Sequence, residues 1–296
     1  MKVAVVGLGS MGMGAALNLA KAAHEVTGCE IKQETWAEFE AAGGRCVASP
    51  DELPPGLEAL IVFVVNAAQA QQVLAAGLSR LGAGGVVLNC TTVAPEAARS
   101  LAGQVEAAGH SYLDAPVSGG SVAARSGAMT VMASGSPAAF DRAAPVLEAI
   151  AGKVWHLGDA PGVGSTVKMV NQLLAGVHIA AAGEALALGI RAGADPRTLF
   201  EVISSSAGSS WMWQNRIPHI LEGDDTPHSA VNIFVKDLGI VLDQARALTF
   251  PLPMASAAHQ LFLAAAAAGH GTKDDAFVIR VWQALAGIAL PAKRDS

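Results

Sequence analysis

The sequence predicts an α/β domain with a parallel sheet, followed by an all-α domain, and one long helix that joins the two. Apolar runs with the length of buried strands alternate with helical patterns as far as His156. Beyond Gly164 only helical patterns follow. The stretch from Gly162 to Gly193 contains no proline and would form a helix roughly 40 Å long, at about 1.5 Å per residue. The predicted domains are residues 1–161 and 162–296.

Composition argues against several classes of protein. Of the 296 residues 52% are hydrophobic, and the formal net charge of −6 argues against nucleic acid as the main partner. The three cysteines lack metal-ligand spacing and suit a reducing compartment. We find no signal peptide, and histidine or charged side chains interrupt the longest apolar stretches. We therefore expect a cytoplasmic protein with no membrane, nucleic acid or metal partner.

A glycine-rich motif connects the first predicted strand, Lys2–Val6, to a helical pattern from Met11 to Ala23. A second strand, Val26–Cys29, follows. In G-x-G-x-x-G the first glycine permits a tight turn, the second lets a pyrophosphate approach, and the third lets helix and strand pack closely. The helix N-terminus attracts the phosphates. The motif predicts a Rossmann-type domain whose dinucleotide contacts Gly7, Leu8, Gly9, Ser10, Met11 and Gly12.

Glu30, which ends the second strand, bears on the choice of cofactor. Its carboxylate can accept hydrogen bonds from the adenosine ribose and would repel a 2′-phosphate. We therefore predict NAD as the cofactor, with a preference over NADP that Lys32 would soften. The alternative for Glu30 is a solvated loop acid.

Two further strand ends supply candidates, because ligands of such folds bind at the carboxyl ends of parallel strands. The strand Ala59–Val65 and the strand Gly85–Asn89 both lead into polar residues. The predicted cofactor contacts there are Val65, Asn66 and Thr92. An alternative role for the threonine hydroxyls is to cap the helix that Pro95 opens.

Ser118, Gly119 and Gly120 follow the predicted strand Ser111–Ala115. Successive backbone N–H groups with no side chains in the way can hold a substrate carboxylate. The alternative is an ordinary turn.

The long predicted helix carries few polar side chains, and Lys168 and Asn171 lie one turn apart on it. A lysine among apolar residues is costly to bury unless it is paired or used. The alternative is an exposed lysine near the helix start. Ser165 is the predicted N-cap of this helix.

The second half of the chain is predicted to be helical throughout. Trp211 and Trp213 are expected in its core or in the wall of a site. Lys236 directly precedes Asp237 in the sequence. One interpretation is that the two form a surface ion pair, which would contribute little to stability. The predicted helices are Pro196–Ser205, Trp211–Glu222, Val231–Ala247, Met254–Ala268 and Asp274–Leu285.

Four motifs together resemble the β-hydroxyacid dehydrogenase family, whose members include 3-hydroxyisobutyrate and tartronate semialdehyde dehydrogenases. Four motifs in the expected order, spread over nearly the whole chain, are far more specific than any one of them. They are Val5–Gly12, Asp114–Gly120, Gly164–Gln172 and Phe234–Leu238. Four other stretches resemble the L-threonate dehydrogenase branch, namely Val64–Gln69, Met129–Gly135, Ser210–Met212 and Thr226–Ala230.

The resemblance implies roles for the matching residues. Lys168 matches the family's catalytic lysine, and Asn171 a substrate-orienting asparagine that we also count as catalytic. Asp237 matches a partner of the second lysine, and we add Trp211 to the substrate contacts. The carboxylate-binding loop corresponds to Ser118, Gly119 and Gly120, and the nicotinamide end of the cofactor to Thr92 and Lys236.

These roles predict the NAD-dependent oxidation of a small hydroxyacid, with L-threonate as the leading candidate. Apolar surroundings favour the neutral amine of Lys168, which could then take the hydroxyl proton. One alternative is a dehydrogenase of the 3-hydroxyisobutyrate, tartronate semialdehyde or succinic semialdehyde type. Another is a non-catalytic dinucleotide sensor, against which Lys168, Asn171 and the Ser-Gly-Gly loop argue. The many apolar helices predict a homodimer or homotetramer.

Overall fold

The computed structural model describes residues 1–291, and the chain divides into two compact units that meet in sequence at Met169 and Val170. The first unit contains all the strands, and the second is helical. The predicted Rossmann-type domain followed by an all-α domain is therefore confirmed. One helix, α7 (Val163–Arg191), passes from the first unit into the second.

A six-stranded sheet of parallel strands forms the centre of the first unit, in the order β3-β2-β1-β4-β5-β6. Its central strands are apolar on both faces, because a hydrophobic core cluster covers each face. The strands are β1 (Lys2–Val6), β2 (Glu25–Cys29), β3 (Arg45–Val47), β4 (Leu57–Val62), β5 (Leu81–Asn89) and β6 (Ser111–Asp114).

A second, three-stranded sheet extends this unit. It comprises β7 (Val117–Ser118), β8 (Met129–Ala133) and β9 (Ala151–His156), with β8 antiparallel to β7 and parallel to β9. An antiparallel bridge between Asp114 and Ser134 connects the ends of β6 and β8. The two sheets therefore meet immediately before the start of α7.

The helices of the first unit connect successive strands. Three of them, α2, α5 and α6, are absent from the sequence prediction, as are the short strands β3 and β7. In chain order the helices are α1 (Gly12–Lys21), α2 (Trp36–Ala41), α3 (Ala67–Gly77), α4 (Pro95–Ala107), α5 (Gly120–Arg125) and α6 (Pro137–Ile150).

The second unit packs five further helices against the later part of α7, whose buried side chains join two hydrophobic clusters. The helices are α8 (Pro196–Ser204), α9 (Trp211–Glu222), α10 (Val231–Ala247), α11 (Pro253–Ala265) and α12 (Arg280–Ala286).

The last two predicted helices differ from the structure. The α-helix α11 ends at Ala265 and gives way to a π-turn over Ala266–His270, because Gly269 adopts a φ of 90°. The predicted helix Asp274–Leu285 was wrong in its first part, where a 3₁₀ turn, Asp275–Ile279, precedes α12. The side chain of Asp274 caps that turn by accepting the N–H of Ala276.

By length and composition alone, α7 is long and apolar enough to cross a membrane. The core helices of soluble proteins pass the same test. Ile179 and Leu186 of α7 are buried members of the two clusters of the second unit, and we assign α7 as a core helix.

Candidate active site

The glycine motif forms a cradle whose backbone is open to a dinucleotide. Gly7 has a φ of +93°, and its N–H donates to the carbonyl of Cys29 at 2.8 Å. A Cβ on Gly12 would lie 1.8 Å from the Gly7 carbonyl oxygen, so only glycine permits this approach. A Cβ on Gly9, by contrast, would meet nothing within 4 Å. The open face at the second glycine is where a pyrophosphate has to approach.

Helix α1 begins at Gly12, and no side chain caps its N-terminus at Met11. Its first turn contains no acidic residue. Neither the Met11 side chain nor an acid in the first turn takes up the N–H groups at the positive end of this helix, which fits a bound phosphate. These residues fit NAD. Their individual contacts remain predictions, including those of Leu8, Ser10 and Met11.

Backbone N–H groups hold the side chain of Glu30 against the glycine motif. Its carboxylate accepts the N–H of Leu8 at 2.9 Å and the N–H of Lys32 at 3.0 Å. The indole of Trp36 donates to the Glu30 carbonyl at 2.9 Å. The interpretation of Glu30 as a freely solvated loop acid was therefore wrong.

Some of the residues that follow strands β4 and β5 have structural roles. The Asn66 side chain caps α3 by accepting the N–H of Gln69 at 2.9 Å, and the Val65 N–H donates to the Gln69 side chain. The N-cap residue of α4 is Ala94, whose side chain makes no capping hydrogen bond. The capping role considered for the threonine hydroxyls stays a prediction. Cofactor contacts of Val65, Asn66 and Thr92 stay predictions.

The Ser-Gly-Gly loop leads from β7 into α5. Gly119 and Gly120 have φ values of +124° and +68°, which side-chain-bearing residues rarely adopt. A Cβ on Gly119 would lie 2.5 Å from that of Ala123, whereas Gly120 opens to free space. The Asn18 side chain of α1 donates to the Ala124 carbonyl at 2.8 Å. Cradle and loop are thereby fixed to each other within the first unit.

Lys168 lies on the second turn of α7 and is 7% exposed. The alternative of an exposed lysine at the helix start was therefore wrong. The predicted N-cap was wrong as well, because α7 begins at Val163 and Ser165 is inside its first turn. The Ser165 hydroxyl donates at 2.7 Å to the carboxylate of Asp114, which supplies the cap from a distant strand.

In the second unit, a chain of polar contacts connects α7 to α10. Lys236 is paired with Asp237, whose other oxygen accepts the side-chain N–H of Gln172 at 2.6 Å. The Gln172 carbonyl accepts the side-chain N–H of Asn171 at 3.0 Å. Asp237 is 2% exposed, so the interpretation of a surface ion pair was wrong.

Gln172 is missing from the sequence prediction. It is buried and stands between Asn171 and the Lys236–Asp237 pair. Its position four residues after Lys168 on an apolar helix is the pattern that could have identified it.

The two tryptophans at the start of α9 differ. Trp213 is buried in the core of the second unit, as predicted. Trp211 is 59% exposed, so it is not a core residue. Its predicted contact with the substrate remains a prediction.

The glycine cradle at the edge of a parallel sheet defines a dinucleotide-binding domain, and the comparisons with known proteins give the enzyme class. A family model described as the NAD binding domain of 6-phosphogluconate dehydrogenase matches residues 2–158. A second model, described as NAD-binding of NADP-dependent 3-hydroxyisobutyrate dehydrogenase, matches residues 162–282. The chain belongs to the 3-hydroxyisobutyrate dehydrogenase-like family of β-hydroxyacid dehydrogenases, which confirms the predicted family and enzyme class.

Two relatives cover the chain almost completely. An L-threonate dehydrogenase of Cupriavidus necator is 51% identical over 296 residues, which is 99% of each chain. One of Escherichia coli is 50% identical and covers 99% of this chain and 97% of its own. A solved structure named 3-hydroxyisobutyrate dehydrogenase, from Salmonella typhimurium, is 48% identical with a TM-score of 0.91 over 95% of this chain and 99% of its own.

Proposed function

We propose that the chain oxidises L-threonate at the hydroxyl beside the carboxylate, giving 2-dehydro-L-erythronate. The observation that carries this proposal is the identity of about half of all positions, over 99% of the chain, to proteins named L-threonate dehydrogenase. The open space at Gly120 supports it, since a sugar acid needs a carboxylate site.

In this proposal Lys168 removes the proton of the reacting hydroxyl in oxidation and returns it in reduction. A lysine can do this only as a neutral amine, and Lys168 is buried, a setting that disfavours the charged form of an amine. When bound, NAD supplies the acceptor for the hydride from the same carbon.

The second unit contributes orientation. Asn171 follows Lys168 by one turn of α7, and we assign it to a substrate hydroxyl. Gln172 holds the amide of Asn171, and Asp237 in turn holds Gln172. Lys236, paired with Asp237, is assigned to the nicotinamide end of the cofactor. We also propose residues 1–161 as the cofactor domain and residues 162–296 as the substrate and association domain.

A panel of small hydroxyacids with NAD, followed by NADH absorbance, tests the substrate. We expect kcat/KM for L-threonate to exceed that for glycerate and for 3-hydroxyisobutyrate. A clear excess for either of the other two acids would remove L-threonate as the substrate. The second of them is a candidate in its own right, because the Salmonella typhimurium structure carries that name.

Cofactor choice should depend on Glu30. We expect kcat/KM for NAD to exceed that for NADP by at least about tenfold, or about 1.4 kcal/mol. The physical reason is that the carboxylate is fixed by Leu8 and Lys32 and cannot turn away from a 2′-phosphate. Glu30→Gln should reduce the NAD preference, and the exposed neighbour Glu34→Gln should leave it unchanged. Equal use of both cofactors by the wild type would contradict the role of Glu30.

Association should take place through the second unit, and we propose at least a dimer. This unit exposes large apolar side chains on several helices, which a monomer would leave in water. They include Leu188, Val202, Leu248, Phe250 and Met254. Light scattering at micromolar concentration should give at least twice the monomer mass.

Three variants test which unit associates. Leu188→Glu and Phe250→Glu probe separate exposed sites of the second unit, and Trp155→Glu, in the first unit, is the control. We expect at least one of the first two to lower the mass and the control to keep it. A monomeric wild type, or loss of association in the control alone, would refute the proposal.

We propose the cytoplasm as the compartment. Within residues 1–291 the structure leaves Cys29, Cys46 and Cys90 as free thiols, which suits a reducing environment.

A further inference from the structure

We infer that Asp114 is a positioning residue for catalysis, because it fixes the start of α7 and thereby places Lys168. This inference rests on the proposed role of Lys168. Asp114 is the last residue of β6 and has no exposed surface. Four residues after it in sequence, Ser118 begins the Ser-Gly-Gly loop, so one buried carboxylate stands between that loop and the lysine helix.

The carboxylate of Asp114 accepts three hydrogen bonds at the start of α7. One oxygen accepts the N–H of Gly162 at 2.9 Å and the N–H of Ser165 at 2.8 Å. The other accepts the Ser165 hydroxyl at 2.7 Å. The first N–H groups of a helix have no acceptor within the helix. A carboxylate that accepts two of them supplies the missing hydrogen bonds and also fixes the position of the helix start.

Ser134, at the end of β8, adds a second anchor. Its hydroxyl accepts the N–H of Gly164 at 2.9 Å and is 3.4 Å from the Asp114 carboxylate. The backbones of Asp114 and Ser134 exchange two hydrogen bonds of 3.0 and 2.9 Å. The ends of two sheets thus form one rigid support for α7.

The start of α7 also packs directly against the strand ends. A Cβ on Gly164 would lie 2.3 Å from the Met132 carbonyl oxygen and 2.9 Å from that of Asp114, so the helix touches the strand ends directly. Lys168 follows Ser165 by three residues, which is close to one turn. A rotation or shift of the first turn would therefore move the amine relative to the loop, and general base catalysis is sensitive to such displacement.

The test is a double-mutant cycle on the full-length enzyme. Asp114→Asn keeps the shape but replaces the charged carboxylate by a neutral amide, which has one acceptor oxygen in place of two for the N–H groups of Gly162 and Ser165 and the Ser165 hydroxyl. We expect kcat for L-threonate to fall by roughly 10- to 100-fold, while the Kd for NAD, measured by NADH fluorescence competition, stays within about twofold. In the Lys168→Ala background the same substitution should have almost no further effect on kcat, because the group it positions is gone.

Two variants separate positioning from stability. Ser165→Ala removes only the hydroxyl contact and should lower kcat by a few-fold in a folded protein. Ser136→Ala is the matched control, because Ser136 caps α6 in the same unit by accepting the N–H of Ala139. We expect it to lower the melting temperature without changing kcat.

The outcomes distinguish this inference from the proposed function. If Asp114→Asn lowers kcat equally in the wild-type and Lys168→Ala backgrounds, Asp114 does not act through Lys168 and the inference fails. If Asp114→Asn does not fold, the cycle is measured with Ser165→Ala, and additivity there has the same meaning. If Lys168→Ala alone retains wild-type kcat, the proposed role of Lys168 fails first.

Discussion

Lys168→Ala should lower kcat for L-threonate oxidation by roughly two to four orders of magnitude, the usual contribution of general acid–base catalysis. The loss should fall on kcat, since the amine acts mainly as the proton moves in the transition state. NAD affinity should stay nearly intact, because Gly7, Gly9 and Glu30 hold the other end of the cofactor in our assignment. Steady-state kinetics and NAD binding to the same preparation measure both quantities.

Two control variants and the pH dependence of the rate test the assignment of Lys168 further. Lys168→Arg should not restore the rate, because a guanidinium stays protonated at any working pH. Lys21→Ala changes an exposed lysine at the end of α1 and should leave kcat unchanged. Wild-type oxidation should also accelerate as the pH rises and the amine loses its proton, and this rise should be absent in Lys168→Ala.

Retention of more than about a tenth of wild-type kcat by Lys168→Ala would show that Lys168 is not the base, given the size expected of such catalysis. Lys236 or a bound water would then be the group to test. Lys236 is partly buried and is paired directly with Asp237.

The sequence predicted two helices of the second unit correctly, and the ends of one of them, α9, are marked locally. The bounds of α9 and α10 agree with the prediction to the residue. In α9, Ser210 caps the start by accepting the N–H of Trp213, and Gly223 ends the helix in the left-handed conformation. Helix α6 was missed because Pro145 stands inside it and breaks the pattern expected of a helix.

The support of the candidate site could not be predicted, since its contacts join residues far apart in sequence. Asp114 reaches Ser165 across 51 positions, and Gln172 reaches Asp237 across 65. A serine at the start of an apolar run looks like a cap, and only the structure reveals that a carboxylate from another strand does the capping. Residue types therefore identified the candidates, and the fold decided which of them are held in place.

Arg216→Met should lower the free energy of unfolding by about 3–5 kcal/mol, because it leaves the carboxylate of Asp275 buried without its partner. Asp275 has no exposed surface, and the guanidinium of Arg216 contacts both of its oxygens, at 2.6 and 3.1 Å. Thermal unfolding should show a drop of roughly 10 °C. Arg246→Met is the matched control, since its pair with Asp243 is exposed on the same unit and contributes about 1 kcal/mol or less.

The decrease in the free energy of unfolding caused by Arg216→Met should also depend on pH. Even beside Arg216, burial raises the pKa of Asp275 to about 6. In the unfolded chain the pKa of this carboxyl is near 3.9. Between about pH 3.9 and about pH 6 the folded protein therefore binds one more proton at Asp275 than the unfolded chain does. The stability that this proton contributes is present at low pH and is lost as the pH rises through that range. Without the guanidinium the pKa of Asp275 rises further, and the folded variant prefers the neutral acid over a wider range. Unfolding measured at about pH 5 and about pH 8 should therefore give a smaller difference from wild type at the lower pH. Equal differences at both pH values would mean that the substitution leaves the pKa of Asp275 unchanged, and that the pair contributes through packing rather than charge.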